Sequence, residues 1–136
     1  MKRTILGAVG AAAVICVAVG CGPDTSARVP TGAELRGTWN QAGAGYENGE
    51  PVTWENQTVV IDEADGQGFA GFKEYTREGE APQKEVVNGV IGLNGDILIV
   101  DEDGRFDGRL IDGKIQGQYA EIGDDATAIN LELSRK

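Results

Sequence analysis

Closely spaced turn signals from residue 65 onward constrain the fold of this 136-residue chain more than any other feature. Asn-Gly and Asp-Gly pairs between short runs of alternating apolar residues are typical of β-hairpins, because these residues tolerate positive φ. We therefore expect positive φ at Gly95, Gly104 and Gly113. No stretch between the signals has the sustained periodicity of an amphipathic helix. The signals are Asp65-Gly66, Asn94-Gly95, Asp103-Gly104, Asp112-Gly113 and Gly123-Asp124-Asp125.

The runs between the turns predict eight strands. Alternation is clearest in the last run, where Ile129, Leu131 and Leu133 share one face. Short links place consecutive strands side by side, and closure removes their open edges. The prediction is an all-β, eight-stranded antiparallel up-and-down barrel whose first and last strands pair. The predicted strands are Leu35–Gln41, Gln57–Asp62 (with a start as early as Val52), Gly68–Thr76, Glu85–Leu93, Asp96–Val100, Arg105–Ile111, Lys114–Glu121 and Thr127–Ser134.

A short internal repeat accompanies this pattern. The segments Asp103–Gly108 and Asp112–Gly117 both read D-G-x-[FI]-x-G. In each copy the apolar residue and the second glycine lie on the same strand face, because they are two residues apart. The glycines fit either of two roles, which are to let the strands of a small barrel bend sharply or to clear room for a ligand.

The N-terminus has the pattern of an export signal. Two basic residues, Lys2 and Arg3, precede an uncharged, largely apolar run from Thr4 to Gly20, as in secretory signal peptides. The run leads into Ala18-Val19-Gly20-Cys21, which resembles the lipobox of bacterial lipoproteins, with Ala18 where Leu is usual. An uncleaved signal anchor is the alternative.

The lipobox resemblance implies cleavage before Cys21, a diacylglycerol on its thiol and an N-acyl chain on its new amino group. Each buried CH2 contributes about 0.8 kcal/mol, so these chains would hold the protein stably on the extracytoplasmic face of the cell membrane. Cys16 is the poorer acceptor, because bulky Ile15 precedes it. This predicts a signal peptide over 1–20, a lipidated N-terminus with a flexible stalk over 21–33, and a barrel domain over 34–136.

The chain after Gly20 is strongly acidic. It holds all 22 Asp and Glu residues but 10 of the 12 Lys and Arg residues, a formal charge of −12. Such a surface repels phosphate backbones, so we expect no nucleic-acid partner. The chain has no histidine, which excludes Ser-His-Asp catalysis, Cys-His catalysis and His-ligated zinc. We predict a non-enzymatic protein without catalytic residues. The alternative, a carboxylate enzyme, would need two facing Asp or Glu groups in a pocket.

The first predicted strand carries the motif Leu35-Arg36-Gly37-Thr38-Trp39. This motif resembles the G-x-W start of calycin barrels, which are the lipocalins, fatty-acid-binding proteins and especially avidins. Carried over residue by residue, Asn40 would be the polar biotin contact, whereas Ala44 stands where avidins have a hydroxyl donor. Trp54 is the last tryptophan of the chain, so the later ligand-stacking tryptophans of avidins are missing. The resemblance implies the barrel and argues against biotin.

The same resemblance predicts how one end of the barrel is closed. Counting by twos from Ile129 places Arg135 on the inward face of the last strand, beside the first strand. Lipocalin-like barrels close their lower end with a tryptophan and an arginine. This implies that Arg135 packs across Trp39 in a cation–π contact, which leaves the opposite end for a ligand.

One acidic turn has a partial likeness to a calcium loop, since Asp101, Asp103 and Asp107 surround a glycine. The D-x-D-x-D-G order is not met, and no later Glu stands at the distance for bidentate ligation. Turns themselves favour Asp and Gly. We therefore predict no metal site and no cofactor other than the lipid on Cys21.

Aromatic residues flank the longest predicted connection, the Gly-rich loop Ala42–Pro51. Tyr46 and Trp54, with Asn40, are the candidate ligand or partner contacts, because long loops over a barrel opening commonly carry binding residues. The sequence thus predicts a membrane-anchored extracytoplasmic binding module, whose partners are the lipid bilayer and a small molecule or an envelope protein. The alternative is a structural or inhibitory envelope protein with a filled barrel and no small ligand. The volume inside the barrel separates the two, since eight strands suit either.

Overall fold

The structure, a computed structural model, describes residues 28–136. Each strand pairs with the next, and the last strand pairs with the first. The predicted all-β, eight-stranded antiparallel barrel is therefore confirmed. The elements are α1 (Gly32–Leu35), β1 (Gly37–Glu47), β2 (Glu50–Asp65), β3 (Gly68–Tyr75), β4 (Gln83–Ile91), β5 (Asp96–Val100), β6 (Gly104–Ile111), β7 (Lys114–Glu121) and β8 (Thr127–Arg135).

The closure between β1 and β8 follows a continuous antiparallel register. Trp39 lies opposite Arg135 at one end of the ladder, and Glu47 lies opposite Thr127 at the other. Because strand side chains alternate, one face of every strand supplies the core. The largest fully buried side chains are Trp39, Leu35, Ile61, Ile97, Ile115 and Leu133.

The chain before β1 covers one end of the barrel. Thr31 caps α1, and its backbone N–H donates a hydrogen bond of 2.8 Å to Glu34 Oε2. Leu35 is fully buried, and Val29, which the sequence assigns to the stalk, packs against the core. The predicted lipidation site, Cys21, lies outside the described residues. Within 28–136, no helix has the length and hydropathy needed to cross a bilayer.

The predicted loop Ala42–Pro51 is wrong. This segment is a hairpin, in which β1 and β2 are joined by Asn48 at φ 51° and Gly49 at φ 82°. Its other glycines are needed for close packing rather than for a loop. A Cβ on Gly43 would lie 2.1 Å from the carbonyl oxygen of Asn130 on β8. Glycine here lets the two strands that close the barrel approach each other.

The turn glycines behave as predicted at two of three positions. Gly95 has a φ of 84° and Gly113 a φ of 79°, but Gly104 does not adopt positive φ. Here the Asp101 carboxylate makes the turn, because its Oδ1 accepts a hydrogen bond of 2.7 Å from the Gly104 N–H. Gly104 is instead required by space, since a Cβ would lie 2.5 Å from the Ala120 carbonyl oxygen.

Candidate functional site

The barrel opens at the end opposite α1. A cleft of about 490 Å³ lies there, between the β1–β2 hairpin, the end of β3, the β5–β6 turn and the end of β7. We call it the mouth cleft. Its aromatic lining consists of Trp54, Tyr75 and Tyr119, and the ammonium-bearing side chain of Lys73 lies at its base.

Below the mouth cleft the barrel interior is filled. The enclosed space there measures about 20 Å³. The two repeat glycines Gly108 and Gly117 face each other across β6 and β7. A Cβ on Gly108 would lie 2.6 Å from the Phe106 ring, and one on Gly117 would lie 2.7 Å from it. The room that these glycines clear is therefore occupied by a core side chain rather than left for a ligand.

Trp54 reaches the mouth cleft because β2 contains a bulge. Strict alternation from buried Val59 through Gln57 would turn Trp54 to the outside. The register with β1 slips between Gln57 and Trp54, and Asn56 there adopts a φ of 57°. A bulge of this kind re-aims the side chains beyond it. Trp54 accordingly packs on Tyr119, with ring centroids 5.2 Å apart and an interplanar angle of 54°.

Three buried charges form the floor of the mouth cleft. The Lys73 ammonium lies 2.7 Å from Asp101 Oδ2 and 3.0 Å from Glu85 Oε2. Burial lowers the pKa of Lys73, but the hydrogen bond to Asp101 and the negative charges of Asp101 and Glu85 outweigh it and raise that pKa above its usual value. Among the described residues, Glu85 Oε2 is the buried side-chain atom without an aligned hydrogen bond. The contact between Glu85 and Lys73 is therefore an ion pair without an aligned hydrogen bond.

Two tyrosines complete this floor. The Tyr75 hydroxyl donates to Glu85, and the Tyr119 hydroxyl donates to Asp101 Oδ1 over 3.2 Å. The Lys73 ammonium lies 5.2 Å from the Tyr75 ring centroid and 5.6 Å from that of Tyr119. Burial raises the pKa of both tyrosines, followed by the hydrogen bond to Glu85 for Tyr75 and by the charge of Asp101 for Tyr119. Both hydroxyls therefore stay protonated and keep the carboxylates in place.

The carboxylates of the acidic turn do not converge on one point. Asp101 is committed to Lys73, whereas Asp107 pairs with Arg105 at 2.7 Å. The Asp103 side chain is exposed. In the part of the chain that the structure describes, no group of three or more Cys, Asp or Glu side chains is arranged to hold a metal ion.

The three candidate contacts from the sequence do not lie together. Asn40 and Tyr46 are on the outer face of β1, opposite to Trp39 and Gln41, and Tyr46 is 61% exposed. Because alternation turns both side chains outward, the predictions that Asn40 contacts a ligand inside the barrel and that Tyr46 lines the mouth are wrong. Contact of either residue with a protein partner stays a prediction. Trp54 does line the mouth cleft.

The predicted pair at the closed end is present. The Arg135 guanidinium carbon lies 4.3 Å from the ring centroid of Trp39. Its Nη1 donates to the carbonyl oxygen of Arg36 over 2.9 Å, and its Nη2 donates to that of Glu34. Trp39 is fully buried, and its Nε1 donates to the carbonyl oxygen of Leu35 over 2.9 Å. The mouth is thus the accessible end of the barrel.

The sequence contains a signal for the charged floor that the strand assignment alone does not use. Lys73 follows Phe69 at a spacing of four on β3, and Glu85 precedes Val87 by two on β4, so both charged residues share the core face. The hairpin register pairs Lys73 with Glu85. Opposite charges on the inward faces of neighbouring strands indicate a buried ion pair.

No protein-family model matches the chain, and no curated protein matches its sequence. Among solved structures, the chain is similar to zebrafish ileal bile acid-binding protein, crystallised in complex with cholic acid. The two are 14% identical, with a TM-score of 0.39, over 76% of this chain and 98% of that one. This likeness concerns the barrel fold alone.

Proposed function

We propose that this chain is a non-enzymatic binding module that takes a small molecule in its mouth cleft. A lipid on Cys21 would tether it to the extracytoplasmic face of the cell membrane. The proposal depends on the mouth cleft of about 490 Å³, where Trp54, Tyr75 and Tyr119 stand over a floor of paired charges. Small-molecule sites have such volumes, with aromatic walls and a few fixed polar groups.

The filled interior limits how deep a ligand can sit. With about 20 Å³ enclosed beneath the floor, a ligand would bind against Trp54 and above Lys73 rather than inside the barrel. Its contacts would be the aromatic rings and the polar groups at the rim. A compact ligand with a small aromatic ring system or a short chain suits this shape better than a long lipid.

The buried carboxylates support a role other than catalysis. Glu85 and Asp101 both pair with the ammonium of Lys73, and each also accepts a hydrogen bond from a tyrosine hydroxyl. Glycoside hydrolysis needs an acid and a base free to exchange protons with substrate and water. Carboxylates held in this way serve structure instead.

Nuclear magnetic resonance of the 15N-labelled protein tests the binding site directly. The chain has two tryptophans, one in the mouth cleft and one at the closed end. We expect a compact aromatic probe, 1-naphthylmethanol or its amine or carboxylate relatives, to shift the Trp54 indole signal. The Trp39 signal should stay in place, because that indole donates to Leu35 in the core.

Two variants sharpen this test. Trp54→Ala should abolish binding, because it removes the aromatic wall of the mouth cleft; backbone amide signals of residues that line the cleft report the result, since the Trp54 indole signal is lost. Tyr46→Ala is the matched control, since Tyr46 is an exposed aromatic on the outer face of the neighbouring strand. Equal binding by both variants would place the ligand elsewhere.

The filled interior also favours a second candidate, a structural or inhibitory envelope protein without a small ligand. The observation behind it is the same 20 Å³ of enclosed space. If none of the three naphthalene probes moves the Trp54 signal, this candidate replaces the binding module.

The proposed anchor has its own test. Cys21→Ser should release the protein from detergent-extracted membranes, because the acyl acceptor is lost. Cys16→Ser should leave it there, since that cysteine lies inside the predicted signal peptide. Membrane partition of Cys21→Ser equal to that of the parent would favour an uncleaved helix over a lipid anchor.

A further inference from the structure

The rim of the mouth cleft is rich in negative charge. Its carboxylates are Glu47, Glu55, Glu78, Asp103 and Glu121, whereas its basic side chains are Arg77 and Lys73. The Lys73 charge is already matched by two buried carboxylates in the floor. Of the basic side chains that line the cleft, Arg77 therefore remains to offset the negative charge of the five carboxylates.

These rim carboxylates are not balanced by ion pairs with the protein's own cations. Within residues 28–136, no salt bridge includes any of the five. Burial, followed by the charges of Asp103, Asp125 and Glu47, raises the pKa of Glu121. Glu121 is thus repelled by Asp103 and Glu47, and a cation placed among these three carboxylates would relieve that repulsion.

The aromatic wall adds a second preference for a cation. An indole is the best side-chain partner for a cation–π contact. Lys73 lies over both tyrosines of the mouth cleft, but in the described part of the chain no protein cation lies over Trp54. Trp54 therefore offers an aromatic surface at the edge of a negatively charged rim.

We infer that the mouth cleft selects a compact organic cation, an ammonium group carried on an aromatic or short alkyl body. This inference rests on the proposed function and names the ligand class for the same site. The apolar body packs on Trp54, and the ammonium lies among Glu47, Asp103 and Glu121. An anion of the same shape meets the same rim and is repelled, because low-dielectric walls concentrate the field of a cleft.

Three naphthalene probes of matched shape test the charge preference at pH 7. They are 1-naphthylmethylamine, which is protonated, the neutral 1-naphthylmethanol and the anionic 1-naphthylacetate, each titrated against the Trp54 indole signal. We expect the amine to bind most tightly, the alcohol more weakly and the carboxylate least. Raising the ionic strength from about 0.01 M to about 0.15 M shortens the screening length from about 30 Å to about 8 Å. This change should weaken binding of the amine and leave binding of the alcohol unaffected.

Charge-neutralising variants connect the preference to the rim. Glu121→Gln and Asp103→Asn should each weaken the amine about fivefold, the effect of removing one unit charge at about 8 Å in partly screened surroundings, and leave the alcohol unchanged. Glu63→Gln is the control, because Glu63 is an exposed carboxylate near the end of β2 at the closed end of the barrel. It should leave the affinity for all three probes unchanged.

The outcomes separate this inference from the proposed function. Equal or tighter binding of the alcohol or the carboxylate at Trp54, or an amine affinity insensitive to Glu121→Gln and Asp103→Asn, overturns the cation preference and leaves the binding module standing. No response of the Trp54 signal to any probe overturns both.

Discussion

Each end of this barrel contains one inward-facing basic side chain, and the two side chains have different kinds of partner. At the closed end, Arg135 lies over the Trp39 ring and donates to two backbone carbonyls. Beneath the mouth, Lys73 is 6% exposed and is paired with two buried carboxylates, Glu85 and Asp101. The partners of Arg135 are neutral, whereas the partners of Lys73 are charged.

This difference determines what each end can tolerate. Loss of Arg135 uncovers the face of the Trp39 indole and frees two carbonyls that lie near solvent, so water can replace the missing donor. Loss of Lys73 would leave two negative charges facing each other inside the barrel, where water does not reach them easily. A buried ion pair is therefore expensive to break even when it contributes little net stability when intact.

Lys73→Met should cause the largest loss in the free energy of unfolding. Removing one member of a buried ion pair costs about 3–5 kcal/mol, because the remaining charge is desolvated and uncompensated. Urea unfolding should show this loss of free energy. Lys114→Met is the control, since Lys114 pairs with Glu132 at 2.7 Å on the exposed surface, and such pairs contribute about 0–1 kcal/mol. Similar losses from the two variants would contradict the contrast between the ends.

Arg135→Ala should cost less, about 2–3 kcal/mol. The loss combines a cation–π contact with hydrogen bonds from a charged donor to carbonyls. Thermal unfolding should report it, and quenching of Trp39 fluorescence by acrylamide should rise as the indole is uncovered. Arg135→Lys should recover only part of the stability, because an ammonium lacks the planar fork that reaches ring and carbonyls together. A loss larger than that of Lys73→Met would reverse the comparison.

Valine substitution in a hairpin turn should destabilise the protein equally at the two ends of the barrel. Gly49 at the mouth and Gly113 at the closed end have φ of 82° and 79°, and nothing lies within 4 Å of a Cβ added to either. Valine at each position should cost about 1–2 kcal/mol from backbone strain alone. Equal shifts in the urea midpoint would show that the ends differ in their cations rather than in their turns, and clearly unequal shifts would contradict this.

Calcium should have the smallest effect. Asp101, Asp103 and Asp107 point to different partners or to solvent, so they do not form the cage of oxygen ligands that Ca²⁺ needs. Millimolar calcium should leave the melting temperature unchanged beyond ordinary screening of the acidic surface. A saturable rise at micromolar calcium would instead identify a site by linkage.

Much of the barrel could be predicted from local patterns. Ile129, Leu131 and Leu133 identify the inward face of β8, and the same count by twos brings Arg135 onto Trp39. The Ala42–Pro51 segment could not be predicted in this way. Its glycines have the composition of a loop, but Gly43 is required by the neighbouring Asn130 carbonyl. That contact spans most of the chain and has no local signal.

The mouth cleft required the tertiary structure for a related reason. The bulge at Asn56 reverses the alternation of β2 and turns Trp54 inward, and a single extra residue of this kind leaves little trace in composition. For the same reason, the contact of Lys73 with Glu85 and Asp101 could not be predicted, because the three residues come from different strands or turns. A charged residue facing inward can be recognised in one strand, but its partner depends on the register of the next.

The sequence by itself determined the number of strands, their order and the closure of the barrel. Turn residues and period-two alternation act between near neighbours, and short links leave consecutive strands little choice of partner. Only the tertiary structure decided that the interior is filled by side chains such as Phe106, and that the accessible space is an acidic, aromatic cleft at one end. The physical reason is that volume and field depend on side chains distant in the chain, whose positions are set jointly by register, bulges and close backbone packing.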